Sequence, residues 1–172
     1  MTVAVLLVMG LVALAGLVLA VRGDRPGVEA GAVALVGALG VSTALAWPAE
    51  GTPGPVQAGA LLAVLAAVTG GGPVATAVLR AADPAATGVS GGPQDPDILR
   101  GGAWIGVLER AAIAGTLLVG WPEGLAVILA VKGLGRFSEL RAPAAAERFI
   151  VGTLASALWA AACVGVAVLL RG

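Results

Sequence analysis

The chain has 172 residues, 59% of them hydrophobic and 12% charged, and its ten basic and ten acidic residues cancel. Soluble domains are about half apolar and about one-quarter charged, and a small chain leaves too much surface outside its core to hide this excess. A water-soluble globular domain is therefore excluded, and the balanced charge gives no electrostatic footprint for nucleic acid.

Transmembrane helices need about 17–25 predominantly apolar residues, and six stretches come near that pattern. The first, 3–21, has no basic segment before it and no Ala-x-Ala cleavage site, so it reads as a retained membrane helix, not a signal peptide. The others are 28–47, 55–79, 102–120, 122–137 and 146–170, the fifth being the shortest. Turn formers separate them: R-G-D-R-P-G at 22–27, P-A-E-G-T-P-G-P at 48–55 and W-P-E-G at 121–124. A longer separator, Ala81 to Gly101, is dominated by Pro, Gly, Asp and Ser without periodicity and reads as a flexible linker. The expected fold is an all-α integral membrane protein with six transmembrane helices. A three-helix unit (1–80) precedes the linker (81–101) and a second three-helix unit (102–172) follows it.

Basic residues alternate between loops. Arg22 and Arg25 follow the first stretch, Arg80 and Arg100 flank the linker, and Arg136, Arg141 and Arg148 follow the fifth, while the loops after the second and fourth have none. Lys and Arg concentrate on the cytoplasmic side, which puts both termini outside and the linker in the cytoplasm, with Arg171 an exception. The expected location is the plasma (inner) membrane of a bacterium. Trp47, Trp104 and Trp121 fall near helix ends, as in an interfacial aromatic belt; Trp159 lies mid-helix and reads as a packing residue.

Four features invite a functional reading. In W-I-G-V-L-E-R, Glu109 and Arg110 interrupt an apolar helix. Counted from the W-P-E-G tip, Glu109 and Lys132 reach nearly equal depth in an antiparallel hairpin, and Arg110 points about 100° away from Glu109. A Glu109–Lys132 pair near the bilayer middle serves either as an ion or proton pathway or as a structural tie, since buried charges in lipid usually pair. Arg136 belongs to the same charged group, with the cytoplasmic side or Glu147 as candidate partners for Arg110. The second feature, Lys132 to Arg141 followed by Ala146–Phe149, offers a surface for a partner or an anionic lipid, or plain positive-inside anchoring. Third, Thr69, Gly70, Gly71, Gly72 and Pro73 interrupt the third helix. This break suits an ion site in a discontinuous helix, or a kink, or a helix ending at Thr69 with a short interfacial helix after it. Fourth, Gly152, Thr153 and Ser156 form a small-residue stripe for close helix packing, as expected also of Gly10, Gly16, Gly31 and Gly37. Cys163 reads as an inert packing residue.

The segment from Gly101 to Ala161 carries G-x-x-I-G-x-L-E-R, K-x-x-x-R-F and G-T-L-x-S. It resembles a family of uncharacterised bacterial polytopic inner-membrane proteins, a resemblance that groups Glu109, Arg110, Lys132, Arg136, Phe137, Gly152, Thr153 and Ser156 without implying a reaction. Thr69 to Ala82 is similar to the last helix of the small G-type subunit of multisubunit monovalent cation/proton antiporters. That subunit's Arg-Leu-Pro-Asp and His-containing loop has no counterpart here.

With no histidine and one cysteine, the chain can assemble neither an internal disulfide nor a zinc site, and no metal, cofactor or catalytic group is expected. The expected function is that of a non-enzymatic membrane component or complex subunit, partnered by the lipid bilayer, by copies of itself or by a membrane complex. The alternative is a small transporter or ion-coupled subunit using Glu109 and Lys132.

Overall fold

The computed structural model describes residues 1–23, 27–48, 53–82, 102–137 and 143–171. Among them the secondary structure is entirely helical: α1 (Thr2–Arg22), α2 (Val28–Ala46), α3 (Pro53–Ala82), α4 (Gly102–Leu118), α5 (Gly124–Gly135) and α6 (Pro143–Leu169). Arg25, Arg100, Glu139, Arg141 and most of the expected linker lie outside the described residues; Ala81 and Ala82 belong to the end of α3.

Four helices, α1, α2, α3 and Ala145–Leu169 of α6, are long and apolar enough to cross a membrane. The six-span expectation thus reduces to four helices that meet the length requirement outright. α5 has 12 residues and rises about 18 Å, against a hydrocarbon core of about 30 Å. It is shorter than the apolar stretch 122–137 because Pro122 and Glu123 are spent in the turn before it, and Arg136 and Phe137 in the turn after it. α4, with 17 residues, rises about 26 Å.

α3 lies at the centre, packing against α1, α2, α4 and α6, while α6 also touches α2. Helices from both sides of 83–101 therefore share one core. Among the described residues the backbone of α5 lies close to α4, while its side chains also reach α6. The reason α3 holds the middle is its face of small residues: Gly59, Ala63, Ala66, Ala67, Gly70, Gly71, Pro73 and Val74 are buried, at helical spacings that put them on one side. Small side chains let backbones approach closely in lipid, where Leu gains nothing from hiding. The outward faces of α1, α3 and α6 bear the larger residues, such as Leu7, Leu11, Leu61, Leu65, Leu154 and Leu158, all exposed.

Two of the four glycines expected to pack closely do so. A Cβ on Gly16 would lie 2.8 Å from the Gly70 backbone nitrogen, and one on Gly31 would lie 2.6 Å from Leu19. Gly10 and Gly37 meet nothing within 4 Å, so that expectation is corrected for them: they sit on open helix faces.

α4 stops at Gly120, which adopts φ 77°. The Trp121 N–H donates to the Thr116 carbonyl at 2.8 Å and the Gly120 N–H to the Leu117 carbonyl at 3.2 Å, a Schellman closure that glycine alone enters without a steric penalty. Arg171, the exception to the charge alternation, donates to the Leu118 carbonyl at 3.2 Å. A cation at a helix C-terminus meets the negative end of the helix dipole, which gives this arginine a local reason to stand where it does. At the opposite end, Arg80 of α3 pairs with Glu29 of α2 at 3.2 Å.

Candidate functional site

Glu109 and Arg110 are adjacent in sequence and diverge in space. Glu109 faces α5 and accepts a hydrogen bond and ion pair from Lys132, the pairing that hairpin depth predicts. Both side chains are mostly buried, and the Lys132 ammonium stands 5.9 Å from the centre of the Phe149 ring of α6, within cation–π range.

Arg110 turns the other way, into the junction of α3, α4 and α6, and is 7% exposed. Its Nε donates to the Val68 carbonyl at 3.0 Å and its terminal Nη1 to the Ser156 hydroxyl at 3.4 Å. Glu147, the partner considered for it, is exposed at the start of α6. The charge sequence alone left without an internal partner is held by a backbone carbonyl and a neutral hydroxyl.

The glycines of α3 make room for this. α3 runs continuously through 69–73 with Pro73 inside it, so neither a discontinuous ion site nor an end at Thr69 describes it. The Gly-Gly-Gly-Pro stretch is instead a cradle. A Cβ on Gly71 would lie 2.2 Å from Arg110 Cδ, and one on Gly70 would lie 2.5 Å from Trp159 Cζ2. Gly106, one turn before Arg110, likewise leaves space for the guanidinium, 3.0 Å from where its Cβ would stand. Pro73 lacks the N–H that would bond the Thr69 carbonyl, and the adjoining Val68 carbonyl takes the donor from Arg110.

Two more donors tie other helices to the same turn. Trp159 Nε1 donates to the Ala66 carbonyl at 2.9 Å. The Thr69 hydroxyl lies 2.9 Å from the Ala13 carbonyl of α1 and 2.8 Å from its own helix's Leu65 carbonyl, and shares its single proton between them. Thr69 therefore stitches α1 to α3; it does not cap a new helix. One stretch of α3 thus receives or sends polar contacts to α1, α4 and α6.

Between α4, α5 and α6 lies a small cleft lined by Glu109, Ile113, Ile128, Lys132, Thr153 and Ser156, among others. Gly152 packs instead against Leu79 of α3, 3.1 Å from its would-be Cβ. Ser156 belongs to the packing stripe and also accepts from Arg110, a polar role the stripe pattern does not announce. Arg136 ends α5 as its C-cap, and Cys163 is fully buried. Among the described residues no three His, Cys, Asp or Glu side chains gather as a metal site would need.

No family model, curated protein or solved structure matches the chain. Its geometry is therefore the ground on which function is argued. The residues missed by pattern reading are Trp159 as a donor and the Val68 and Ala66 carbonyls as acceptors. A mid-span tryptophan carries an N–H that needs a partner, and paired glycines permit close approach to a backbone; together those two signals point to this contact.

Proposed function

We propose that the chain is a six-pass protein of the bacterial plasma membrane that acts as a non-enzymatic component or subunit of a membrane assembly. In this reading both termini lie outside, residues 81–101 lie in the cytoplasm, and α4 and α5 form a hairpin whose tip, at 121–124, lies outside. The alternation of Lys and Arg between loops supports the orientation, and the resemblance of Gly101–Ala161 to bacterial inner-membrane proteins supports the location.

One observation carries the functional part. The polar groups that a transport path would use are engaged within the chain: Glu109 by Lys132, Arg110 by Val68 and Ser156, and the glycine cradle by Arg110 and Trp159. Groups committed to one another hold helices in register, and a buried ionic contact serves register more readily than stability. The reading predicts that the double variant Glu109→Gln/Lys132→Met is inserted, folds and still co-purifies with the native partners. Loss of a cellular phenotype in a variant with intact folding and partner binding overturns it. For the topology, Trp121→Cys in a Cys163→Ser background should react with an impermeant maleimide from outside the cell; reaction from the cytoplasmic side alone reverses the orientation.

A second reading, a small transporter or ion-coupled subunit related to monovalent cation/proton antiporters, is favoured by the cleft that Glu109, Lys132, Thr153 and Ser156 line. Six helices of modest length would then require a homo-oligomer to enclose a path. Proton-coupled sodium or potassium flux in proteoliposomes, abolished by Glu109→Gln, distinguishes it.

A further inference from the structure

The helices that surround α3 do not close around it. α1 touches α2, α2 touches α6 and α6 touches α4, and each of the four also packs on α3, while among the described residues α4 and α1 do not meet. A groove therefore runs between α1 and α4 with α3 as its floor. The tightest turn of α3 fixes its direction. Thr69 turns to Ala13 of α1, Gly70 to Trp159 of α6 and Gly71 to Arg110 of α4. At about 100° per residue these three sweep about 200° on the covered side, which leaves about 160° open. Leu61, Leu65 and Gly72 fall in that open arc, at helical spacings that make one stripe, and Leu61 and Leu65 are exposed. Packed helices keep their axes about 8–10 Å apart, so α1 and α4 stand about 16–20 Å from one another across the opening, and one further helix seats between them.

A charge stands beside the floor of this groove. Arg110 is 7% exposed. Of the five N–H donors of its guanidinium, one at Nε meets the Val68 carbonyl and one at Nη1 meets the Ser156 hydroxyl. Nη2 bonds to no described residue, yet it is not sealed from its surroundings. It lies 3.9 Å from where a Cβ on Gly72 would stand and 3.8 Å from one on Gly106, so two missing side chains leave it a way into the groove. Neither partner of Arg110 carries a charge, and Glu109 is committed to Lys132. The Thr76 hydroxyl, one turn beyond Gly72, bonds to no described residue either.

We propose that this groove seats one transmembrane helix of a different membrane protein, and that a carboxylate near the middle of that helix pairs with Arg110 at Nη2. In the six-pass subunit reading on which this rests, Arg110 stands about ten residues before the end of α4, about 15 Å from its outer end and near the middle of the bilayer. A cation there ordinarily finds a counter-charge. A lipid phosphate stays at the membrane surface, beyond its reach. A second copy of this chain has no acid to offer at that depth. Among the described acids Glu29, Glu123 and Glu147 stand at or near helix ends, and Glu109 already holds Lys132. The α1 wall is wholly apolar from Val3 to Val21, so the carboxylate has one cation to meet.

The test places a benzophenone amino acid at Leu65, on the groove floor, in the full-length chain expressed in the cells that naturally make it, and crosslinks by light. The expected result is an adduct with a membrane polypeptide whose apolar span carries Asp or Glu near its middle. Changing that acid to its amide should weaken the adduct at least tenfold, and so should Gly72→Leu, which fills the floor beside Nη2. Gly40→Leu, on an open face of α2, should leave it unchanged, and a benzophenone at Leu158, exposed on α6, should not give it. Adducts from Leu65 with lipid alone, with a second copy or with a polypeptide whose spans hold no acid overturn the proposal. So does an adduct that survives the amide change or a folded Gly72→Leu in full, or one that forms equally from Leu158. Should Gly72→Leu fail to fold, the amide change, which leaves this chain untouched, decides. Partners that co-purify without an adduct at Leu65 overturn the groove alone, whereas absence of any co-purifying partner overturns the subunit reading as well.

Discussion

Replacing Gly71 by alanine adds one methyl group at the most crowded turn of α3. Its Cβ would stand 2.2 Å from Arg110 Cδ, 2.9 Å from Arg110 Nε and 3.2 Å from Trp159 Cδ1. The first of these is far inside van der Waals contact, so the arginine stem must move, and the Nε that donates to Val68 at 3.0 Å moves with it. Forcing a methyl group into a packed interior costs about 1–3 kcal/mol, and loss of a hydrogen bond from a charged donor costs about 1.5–3 kcal/mol more. Against this, alanine is a better helix former than glycine by about 0.5–1 kcal/mol. The clash wins, and a net destabilisation of about 2–4 kcal/mol follows once part of the strain is relieved by abandoning the hydrogen bond. Gly115 and Gly133 supply the control, since nothing lies within 4 Å of a Cβ at either: there alanine should be neutral or stabilising. Reversible unfolding in detergent or bicelles, followed by helix content, compares the three variants. If Gly71→Ala is as stable as Gly115→Ala, the cradle does not constrain Arg110 and the account of the Gly-Gly-Gly-Pro stretch is wrong.

The remaining predictions use the same assay unless stated. Lys132→Met leaves Glu109 buried without its partner and should destabilise clearly, whereas adding Glu109→Gln should recover part of the loss, giving a coupling of about 1–3 kcal/mol in a double-mutant cycle; additive effects would contradict the pairing. Trp159→Phe keeps most of the ring but loses the N–H on Ala66, for about 0.5–1.5 kcal/mol. Thr69→Val removes the tie to Ala13 and should cost about 0.6 kcal/mol, the usual size for such bonds in lipid; an effect above about 2 kcal/mol would show that more than this bond is lost. Cys163, fully buried, should resist maleimide in the folded protein and react on denaturation, and rapid labelling of the native state would contradict its position.

The helical class and most boundaries were legible because apolar length and turn formers act locally. Gly120 ends α4 through a single left-handed residue, a signal contained within the sequence around it. The Glu109–Lys132 pair was also within reach, since a short hairpin fixes relative depth by counting. The partner of Arg110 was not, because Val68 lies 42 residues away on a helix whose contact with α4 no local pattern encodes. The glycines at 70–72 carry two signals. Read along the chain they look like a break, yet in the bundle the missing side chains matter more than the flexible backbone. The apolar stretch 122–137 is longer than α5 because Pro122, Glu123, Arg136 and Phe137 belong to turns whose ends hydropathy does not mark.

The adjacency of Glu109 and Arg110 has a geometric consequence. Consecutive residues on a helix point about 100° apart, so a neighbouring pair of charges addresses two different helices at one depth. Here the acid meets Lys132 of α5, and the base enters the α3–α6 junction. Rotating α4 by one residue, or sliding it by one step of about 1.5 Å, breaks both contacts together and turns at least one charge toward lipid. In the six-pass reading proposed above, each charge so exposed near the bilayer centre costs at least about 2.5–3.5 kcal/mol. Apolar Ala and Leu surfaces cannot discriminate between such registers in a lipid solvent, because every apolar packing partner is nearly equivalent to a lipid tail. Two charges on successive residues therefore determine both the rotation and the depth of a 17-residue helix that composition alone would leave free to slip.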